Sequence, residues 1–454
     1  MTDLTEKTET IETTAAVENA EKKEVKPTAS LEDIRAAGEI LELSATAGML
    51  ILESGGETGR VEDTIIRMCS AAGFTGTMVS ATPTAIYMTL IGHEPKIRLS
   101  LVQRTSARVI DLTVLERANH ISREFIDGNI TSDEAAKQLA DLRAPKAKKR
   151  FDLLLNMLVA AFSVSMFTLV YGGKPMDAAV SAVCGAVTVL IQSLFGRTAR
   201  AFITQFVICL LGGAAIGAIS AASLSLPGVS GIYMIAVGAM VPLLPGLAMT
   251  SAIRDTIMGD LVSGVARFAE VTMSALSLAG GMGASLYCYI TLTGRQIGSG
   301  GTAALDMPVW QLMIFGILAV APYSVMMNAP KKAIPAAAAL GGAVYVVYAL
   351  FAAAGSPYLG YFLSTLLAAS ASEALARIIK MPSAVFLFPG IIILVPGMGL
   401  YETMLCVVRG APMMALSLGS TVLICAGLMA LAMAVTGVVA RSIRFAGKNR
   451  RKRK

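Results

Sequence analysis

Two proline-glycine interruptions lie inside the apolar two-thirds of this chain, and they constrain its fold more than any other feature. The first is Val241-Pro242-Leu243-Leu244-Pro245-Gly246, and the second is Leu394-Val395-Pro396-Gly397. A helix that is broken in lipid exposes backbone N–H and C=O groups, which are costly to leave unpaired. Such a break survives only where protein or a water-filled cavity surrounds it. Two breaks in corresponding places of two halves therefore indicate a transport site near the middle of a bilayer.

The composition is that of a membrane protein. The 454 residues are 55% hydrophobic and only 15% charged, and their mean hydropathy is +0.66, whereas soluble proteins carry about a quarter charged residues. About ten segments have the length of roughly 20 apolar residues that a spanning helix needs. Their approximate cores are 152–171, 176–195, 201–222, 230–250, 265–291, 308–328, 334–354, 358–379, 384–405 and 412–439.

Basic residues flank these segments and orient them. With the N-terminal region inside, the inner loops carry Lys146–Arg150, Arg197, Arg200, Arg254, Lys331, Lys332, Arg377, Lys380 and the basic C-terminus. The outer loops then carry only Lys174, Arg295 and Arg409, which follows the positive-inside rule. The pattern predicts a multi-pass membrane protein with both termini cytoplasmic, and we expect it in the plasma (inner) membrane of a prokaryote. The net charge of +7 accordingly indicates contact of the basic residues with anionic lipids of the bilayer and not binding of nucleic acid.

The count of spans predicts the symmetry of the fold. About ten spans divide into five and five, and an odd number in each half makes the second half enter from the opposite side. The breaks then fall in the fourth and ninth spans. The predicted fold is an α-helical polytopic membrane protein in a five-plus-five inverted repeat, with an N-terminal cytoplasmic α+β domain. The alternative is that both prolines merely kink packed helices, since Pro and Gly are common in membrane helices.

Composition and turn signals divide the chain into successive regions. They are a disordered tail (1–29), a cytoplasmic α+β domain (30–143), a basic hinge (144–150), a first five-helix membrane half (151–294), an outer linker (295–307), a second five-helix membrane half (308–440) and a basic cytoplasmic tail (441–454). The tail is called disordered because it is rich in Thr, Glu and Lys and has no aromatic residue. Within the α+β domain, the patterns predict helices at 31–53, 58–72, 107–127 and 131–142 and strands at 76–81, 84–91 and 97–102.

The soluble domain concentrates its polar chemistry in one cluster, whose candidate residues are Glu53, Ser54, Gly55, Gly56, Glu57, Arg60, Glu62 and Asp63. It lacks the lysine and the spacing of a phosphate-binding loop. A hydrolytic site could use Glu53 or Glu57 with a neighbouring hydroxyl, although no histidine stands nearby as a base. The other interpretation is a corner between two helices, in which the glycines end the first helix while Ser54 and Glu57 cap the second.

Polar residues near the breaks are candidates for binding the substrate. The set comprises Pro245, Gly246, Thr250, Ser251, Arg254, Pro396, Gly397 and Tyr401. Arg254 could hold a substrate carboxylate in its guanidinium fork. The alternative for this segment is an amphipathic inner loop with a structural Arg254–Asp255 pair. After the second break, Tyr401 and Glu402 take the matching place, so the two halves differ chemically.

Four carboxylates are candidates for proton coupling, namely Asp255, Asp260, Glu270 and Glu373. Glu270 lies three residues after Arg267 and Glu373 four residues before Arg377, so each can pair within its own helix. Such pairs at the membrane interface are the alternative to a functional role.

Cysteine and histidine usage argues against a metal site or a cofactor. The six cysteines show no CxxC spacing and mostly lie in apolar runs, which favours buried free thiols over disulfides or metal ligands. Both histidines, His93 and His120, fall in the soluble part. We expect neither a metal nor another cofactor.

Three motifs resemble the threonine/serine exporter family. They are Glu53-Ser54-Gly55-Gly56-Glu57-Thr58 with Arg60-Val61-Glu62-Asp63-Thr64, then Val241–Gly246 through Arg254-Asp255 and Gly259-Asp260, and finally Phe388-Pro389-Gly390 and Val395-Pro396-Gly397 with Tyr401. The resemblance covers about residues 31–440. Some members are split into a larger and a smaller subunit, whereas this chain resembles a fused form. The family implies a secondary exporter of small hydrophilic metabolites that is driven by the proton gradient.

The resulting prediction is a secondary active, proton-coupled exporter of threonine/serine-type amino acids that is not an enzyme. Its expected partners are the lipid bilayer, a small-molecule substrate and protons, and its Gly- and Ala-rich helices leave room for a homo-oligomer. The alternatives are a dicarboxylate (succinate) exporter of the same family, and a membrane-anchored hydrolase that acts through the N-terminal domain.

Overall fold

A computed structural model describes residues 30–92, 97–105, 110–144, 150–195, 201–294 and 307–451. The predicted disordered tail (1–29) lies outside the described residues, as do most of the hinge (144–150) and most of the outer linker (295–307).

Residues 30–144 form an N-terminal unit of helices around a small sheet. The helices are α1 (Leu31–Glu53), α2 (Thr58–Ala71), α3 (Leu112–Ile126) and α4 (Ser132–Arg143), and the strands are β1 (Met78–Thr82), β2 (Ala85–Gly92) and β3 (Ile97–Arg104). The strands pair antiparallel in the order β1-β2-β3. Helix α4 begins at a capping box between Thr131 and Glu134, which confirms the helix start expected there.

Eight of the described helices are long and apolar enough to cross a membrane, which confirms a polytopic helical membrane protein. These are α5 (Arg150–Val170), α6 (Pro175–Phe195), α7 (Ala201–Ala222), α10 (Leu261–Thr293), α11 (Val309–Met326), α12 (Ile334–Ala353), α13 (Pro357–Ile379) and α16 (Pro412–Arg451). All six cysteines are free, as expected; Cys288 is exposed, Cys406 is half-buried and the other four are buried.

The predicted fourth and ninth spans are not continuous helices. The first broken span consists of α8 (Ile232–Met240) and α9 (Gly246–Ile257). The second consists of α14 (Ala384–Ile391), a 3₁₀ turn at Ile392–Leu394, and α15 (Gly397–Val408). The proline-glycine interruptions therefore divide each span into two half-helices. Helix α9 also continues through the segment for which an inner loop was the alternative.

The two sets of membrane helices pack by the same scheme. Helix α5 contacts α6 as α11 contacts α12, α7 contacts α10 as α13 contacts α16, and α9 contacts α10 as α15 contacts α16. Each of these half-helices also packs on a helix of the other set: α9 packs on α16, and α15 packs on α10. The broken spans are thereby held at the centre, between both sets.

The N-terminal unit is joined to the membrane helices by a shared apolar core and by a polar contact. One cluster of buried side chains runs from α1–α4 into α11–α14. At the start of α3, the Leu112 N–H donates to the Met327 carbonyl at 3.0 Å, and the Thr113 hydroxyl donates to the Asn328 carbonyl at 2.5 Å. The Asn328 amide donates in turn to Asp111 at 3.1 Å. These contacts fix the unit on the turn between α11 and α12.

Candidate functional site

The two breaks, far apart in the sequence, lie against each other. A Cβ atom added to Gly246 would overlap the Val395 side chain and would lie 3.6 Å from the Gly397 Cα. A Cβ atom added to Gly397 would lie 2.9 Å from the Leu244 Cβ. Both glycines thus leave room for the side chain of a residue at the opposite break, and the structure brings the predicted residues Pro245, Gly246, Pro396 and Gly397 together. We call this contact the junction.

The junction is formed by the N-termini of two half-helices. Pro245 and Pro396 are the N-cap residues of α9 and α15 and have nearly the same backbone angles, φ −78° and ψ 34° against φ −75° and ψ 42°. Proline suits such a position because the first helical turn does not need its missing N–H. The first N–H groups of a helix carry partial positive charge. Two such ends meeting at one place favour an anion between them.

Side chains from neighbouring helices satisfy backbone carbonyls that the breaks set free. The Cys209 thiol donates to the Leu243 carbonyl at 3.9 Å. The Tyr171 hydroxyl donates to the Ile393 carbonyl at 3.2 Å. Sequence reasoning missed both donors, since nothing in a sequence pairs a residue with a break on another helix.

The junction encloses little space in this conformation. A cavity of ≈ 20 Å³ lies there, lined by Tyr171, Val241, Leu244, Ile392, Val395 and Gly397. That volume suffices for about one water molecule and lies far below the roughly 300 Å³ of small ligand sites. A metabolite can enter the junction only if the broken spans move apart.

A much larger cavity, the vestibule, lies between the N-terminal unit and the membrane helices. Its volume is ≈ 1740 Å³, and residues of α2, α3, α9, α13, α14 and α16 line it. Leu387 of α14 lines the vestibule and Ile392 lines the junction cavity. The two spaces are therefore separated by about one and a half turns of helix along the chain.

Arg254 lies in the vestibule and not at the junction. It follows Gly246 by eight residues of α9, which is about 12 Å along a helix. Its Nη1 atom donates to Glu57 Oε1 of the N-terminal unit at 2.8 Å. The predicted binding set therefore divides into a junction group and a vestibule group. Arg254 forms its ion pair with Glu57, whereas the alternative drawn from the sequence was a pair with the neighbouring Asp255, on which the charge of Arg254 also acts.

Glu57 is the residue of the soluble motif that contacts the membrane helices through an ion pair. It occupies the N-cap position of α2, but its side chain makes no capping bond, so the expectation that Glu57 caps this helix through its side chain is wrong. Burial raises the pKa of Glu57, but the charges of Arg254, Arg60 and Arg267 and the hydrogen bond from Arg254 together lower it by more, so the pKa lies below the ordinary glutamate value. The ion pair is therefore present above the usual glutamate pKa of about 4.3 and is lost only as the pH falls below it.

Asp255 forms an ion pair, and Asp260 accepts two hydrogen bonds. Asp255 Oδ2 lies 3.0 Å from Arg267 Nε, and the two residues are 5% and 8% exposed. Among the residues that the structure describes, neither atom has a hydrogen-bond partner, so their attraction is ionic and not a directed hydrogen bond. Asp260 caps α10 through the Ser263 N–H at 3.2 Å and accepts from the Thr58 hydroxyl at 2.9 Å. The sequence assigned Arg267 to Glu270, and Glu270 does contribute to the electrostatic surroundings of Arg267.

The remaining predicted residues near the membrane occupy varied places. The Thr250 hydroxyl bonds back to the Gly246 carbonyl of its own helix at 3.2 Å, and Ser251 is half-buried. Glu373 lines the vestibule together with Arg377. Tyr401 belongs to α15, but its side chain lies outside the described residues.

The soluble motif forms the corner between α1 and α2 and one wall of the vestibule. Ser54 is the C-cap of α1, and Gly55 follows with φ +95°, which glycine tolerates best. Gly56 packs on Ile51, and Glu53 is half-buried. The remaining three are Arg60, which lines the vestibule, Glu62, which accepts from the Ala81 N–H at 2.8 Å, and Asp63, which pairs with Arg67 at 2.9 Å.

Two family models match the chain in succession. One is described as "Putative threonine/serine exporter" and matches residues 42–289, and the other is described as "Threonine/Serine exporter, ThrE" and matches residues 312–439. No solved structure matches.

Relatives among curated proteins are distant. A "Probable threonine/serine exporter" of Mycobacterium tuberculosis is 22% identical over 375 residues, which are 80% of this chain and 69% of that protein. The "Probable succinate transporter subunit YjjP" of Klebsiella aerogenes is 26% identical over 243 residues, which are 52% of this chain and 89% of that subunit. The protein of the same name from Escherichia coli is 25% identical over 243 residues, 52% of this chain and 90% of its own length.

Proposed function

We propose a function from one premise: the chain belongs to the threonine/serine exporter family, whose models match residues 42–289 and 312–439. The family is one of exporters and not of enzymes. The protein is accordingly a secondary active exporter of small polar metabolites of the threonine and serine type, driven by the proton gradient. The name of the Mycobacterium tuberculosis relative supports the amino-acid substrate.

The junction is the observation that carries the proposal. The N-termini of α9 and α15 meet there, at Gly246 and Gly397. Paired half-helix N-termini near the middle of a bilayer attract the carboxylate of a substrate. Because the junction cavity of ≈ 20 Å³ cannot hold an amino acid, the substrate binds after the broken spans separate.

The proposed arrangement is a five-plus-five inverted repeat in the plasma membrane of a bacterium, with both termini and the N-terminal unit in the cytoplasm. The contacts of α9 with α16 and of α15 with α10, which correspond to each other between the two sets, support the repeat. Lys331, Lys332, Arg377 and Lys380 lie at the end of the bundle where the N-terminal unit sits, in keeping with the positive-inside rule. The vestibule then opens toward the cytoplasm.

We assign proton coupling to carboxylates in or near the vestibule. Asp255, Asp260 and Glu373 line the vestibule, and Glu270 lies near Arg267. Of these, Glu373 lies on α13, four residues before Arg377, which lines the same cavity. Carboxylates of this kind, which face a cavity within a membrane bundle, are common sites of proton relay.

Transport by the purified full chain tests the proposal. Proteoliposomes are loaded with labelled threonine, serine or succinate, and efflux is followed with and without an imposed pH gradient. We expect saturable efflux of threonine or serine that the gradient accelerates. The absence of gradient-dependent flux for all three compounds would contradict the proposal.

A dicarboxylate is the second candidate substrate. It is favoured by the succinate transporter subunits that match 52% of this chain, and a carboxylate is common to all three compounds. The same experiment separates the candidates, because efflux of succinate without efflux of threonine or serine would assign this chain to dicarboxylates.

The junction is tested by Gly246→Ala. The added methyl group overlaps Val395, and overpacking of this kind costs about 1–3 kcal/mol. We expect transport to fall by an order of magnitude while the protein still inserts in the membrane. Gly427→Ala is the matched control, since a Cβ atom there meets nothing within 4 Å. Equal transport by both variants would remove the junction from the mechanism.

A further inference from the structure

The ion pair between the N-terminal unit and the first broken span carries a further inference. Glu57 Oε1 accepts from Arg254 Nη1 at 2.8 Å. The Glu57 side chain is 33% exposed and the Arg254 side chain 11% exposed, and both line the vestibule. The pair therefore stands between two parts of the protein and remains open to solutes that enter the vestibule.

The position of Glu57 is set by the N-terminal unit, which is itself bonded to the membrane helices. The start of α3 is bonded to the turn between α11 and α12 through Leu112, Thr113 and Asn328. Next to Glu57, the Thr58 hydroxyl bonds to Asp260 at 2.9 Å. The N-terminal unit thus bridges the two sets of membrane helices, and Glu57 reaches the half-helix that leads to the junction.

The chemistry of the contact matches that of a substrate. Arginine offers a planar fork of N–H donors that fits a carboxylate. Glu57 supplies the same functional group that threonine, serine and succinate carry. A carboxylate solute in the vestibule and the Glu57 side chain therefore compete for one guanidinium.

We infer that Glu57 is an internal carboxylate that occupies Arg254 until the carboxylate of a substrate displaces it. Glu57 is then a positioning residue that sets the affinity of the vestibule for the substrate and restricts binding there to solutes with a free carboxylate. Displacement also removes the bond between α9 and the N-terminal unit and leaves only the Thr58 bond to Asp260 among the polar contacts described there, which favours separation of the broken spans. The inference rests on the proposed export function for its substrate class.

The variant Glu57→Gln tests the exchange. Removing the competing charge should lower the Kd of labelled threonine or succinate for the full chain in detergent on the order of threefold, as for an ion pair of modest strength. In proteoliposomes the KM should fall by a similar factor without a rise in kcat. Threonine amide, which lacks the carboxylate, should compete with neither substrate.

Two further variants separate exchange from a merely structural contact. Glu57→Asp keeps a carboxylate and should restore the KM toward the original value. Glu39→Gln is the matched control, because it removes an exposed partner of Arg35 on α1 of the same unit, and its KM and Kd should not change. A structural contact would predict a lower melting temperature for Glu57→Gln with no gain in affinity.

The results distinguish the inference from the proposed function. Tighter binding by Glu57→Gln without gradient-driven flux in the original protein would support the exchange and contradict the export proposal. Gradient-driven flux with binding that is equal in both proteins, weaker in Glu57→Gln or absent from both would overturn the exchange and leave export standing.

Discussion

Asp255 and Arg267 are a buried pair whose partners depend on each other. Their side chains are only 6% and 9% exposed, and the atoms Oδ2 and Nε are 3.0 Å apart. Removing one member of such a pair leaves an uncompensated charge in a medium that solvates it poorly. This holds although the intact pair itself adds little net stability.

Asp255→Asn should therefore destabilise the protein by about 3 kcal/mol. The measurement is the unfolding transition of the purified protein in detergent, followed by intrinsic fluorescence or by the release of native structure on heating. The double variant Asp255→Asn with Arg267→Gln should recover part of the loss, because it buries no unpaired charge. A single variant that melts like the original protein would show that water reaches the pair.

At the scale of helices, α7 and α10 pack through backbone contact. A Cβ atom on Gly281 would overlap the Leu210 carbonyl oxygen, and one on Gly213 would overlap the Leu278 carbonyl oxygen. Small residues let membrane helices approach closely, and van der Waals packing is their main source of association.

The adjacent residues Gly280 and Gly281 give a matched pair for this contact. Gly281→Ala forces the helices apart and should cost about 1–3 kcal/mol. Gly280→Ala meets nothing within 4 Å and should be neutral or slightly stabilising, since alanine favours a helix over glycine by about 1 kcal/mol. Melting temperatures in detergent compare the two, and similar values would contradict the backbone contact.

Features that depend on neighbouring residues could be predicted from the sequence, whereas contacts between distant residues could not. Apolar runs gave the spanning helices, and the proline-glycine motifs gave the breaks, because both signals are local. Glu57 and Arg254 are 197 residues apart, so only the fold could pair them, and a helix cap was the natural local expectation. Helical spacing likewise offered Glu270 to Arg267, whereas the structure places Asp255 of another helix at 3.0 Å.

At the scale of the whole molecule, the proposed topology places the turns of the bundle on defined sides. Lys332 lies in the turn that binds the N-terminal unit, and Ser356 lies at the other end of α12. A helix of 20 residues spans about 30 Å, so the proposed topology puts the two positions on opposite sides of a bilayer.

Cysteine labelling in intact cells tests this topology. In a background with the exposed Cys288 replaced by serine, Ser356→Cys should react with a membrane-impermeant maleimide. Lys332→Cys should react only after the cells are opened. The reverse pattern would place the N-terminal unit outside and overturn the proposed orientation.

The contact between α3 and the turn after α11 has a consequence for biosynthesis. Thr113 and its partner Asn328 are 215 residues apart, and ribosomes add about 5–20 residues per second. The N-terminal unit therefore waits on the order of 10–40 seconds for its docking surface to emerge and insert. During that interval, the apolar side chains of the unit that later join the shared core lack their partners on α11–α14. The newly made unit therefore exposes apolar surface until those helices are in place, and we expect it to bind chaperones during that time.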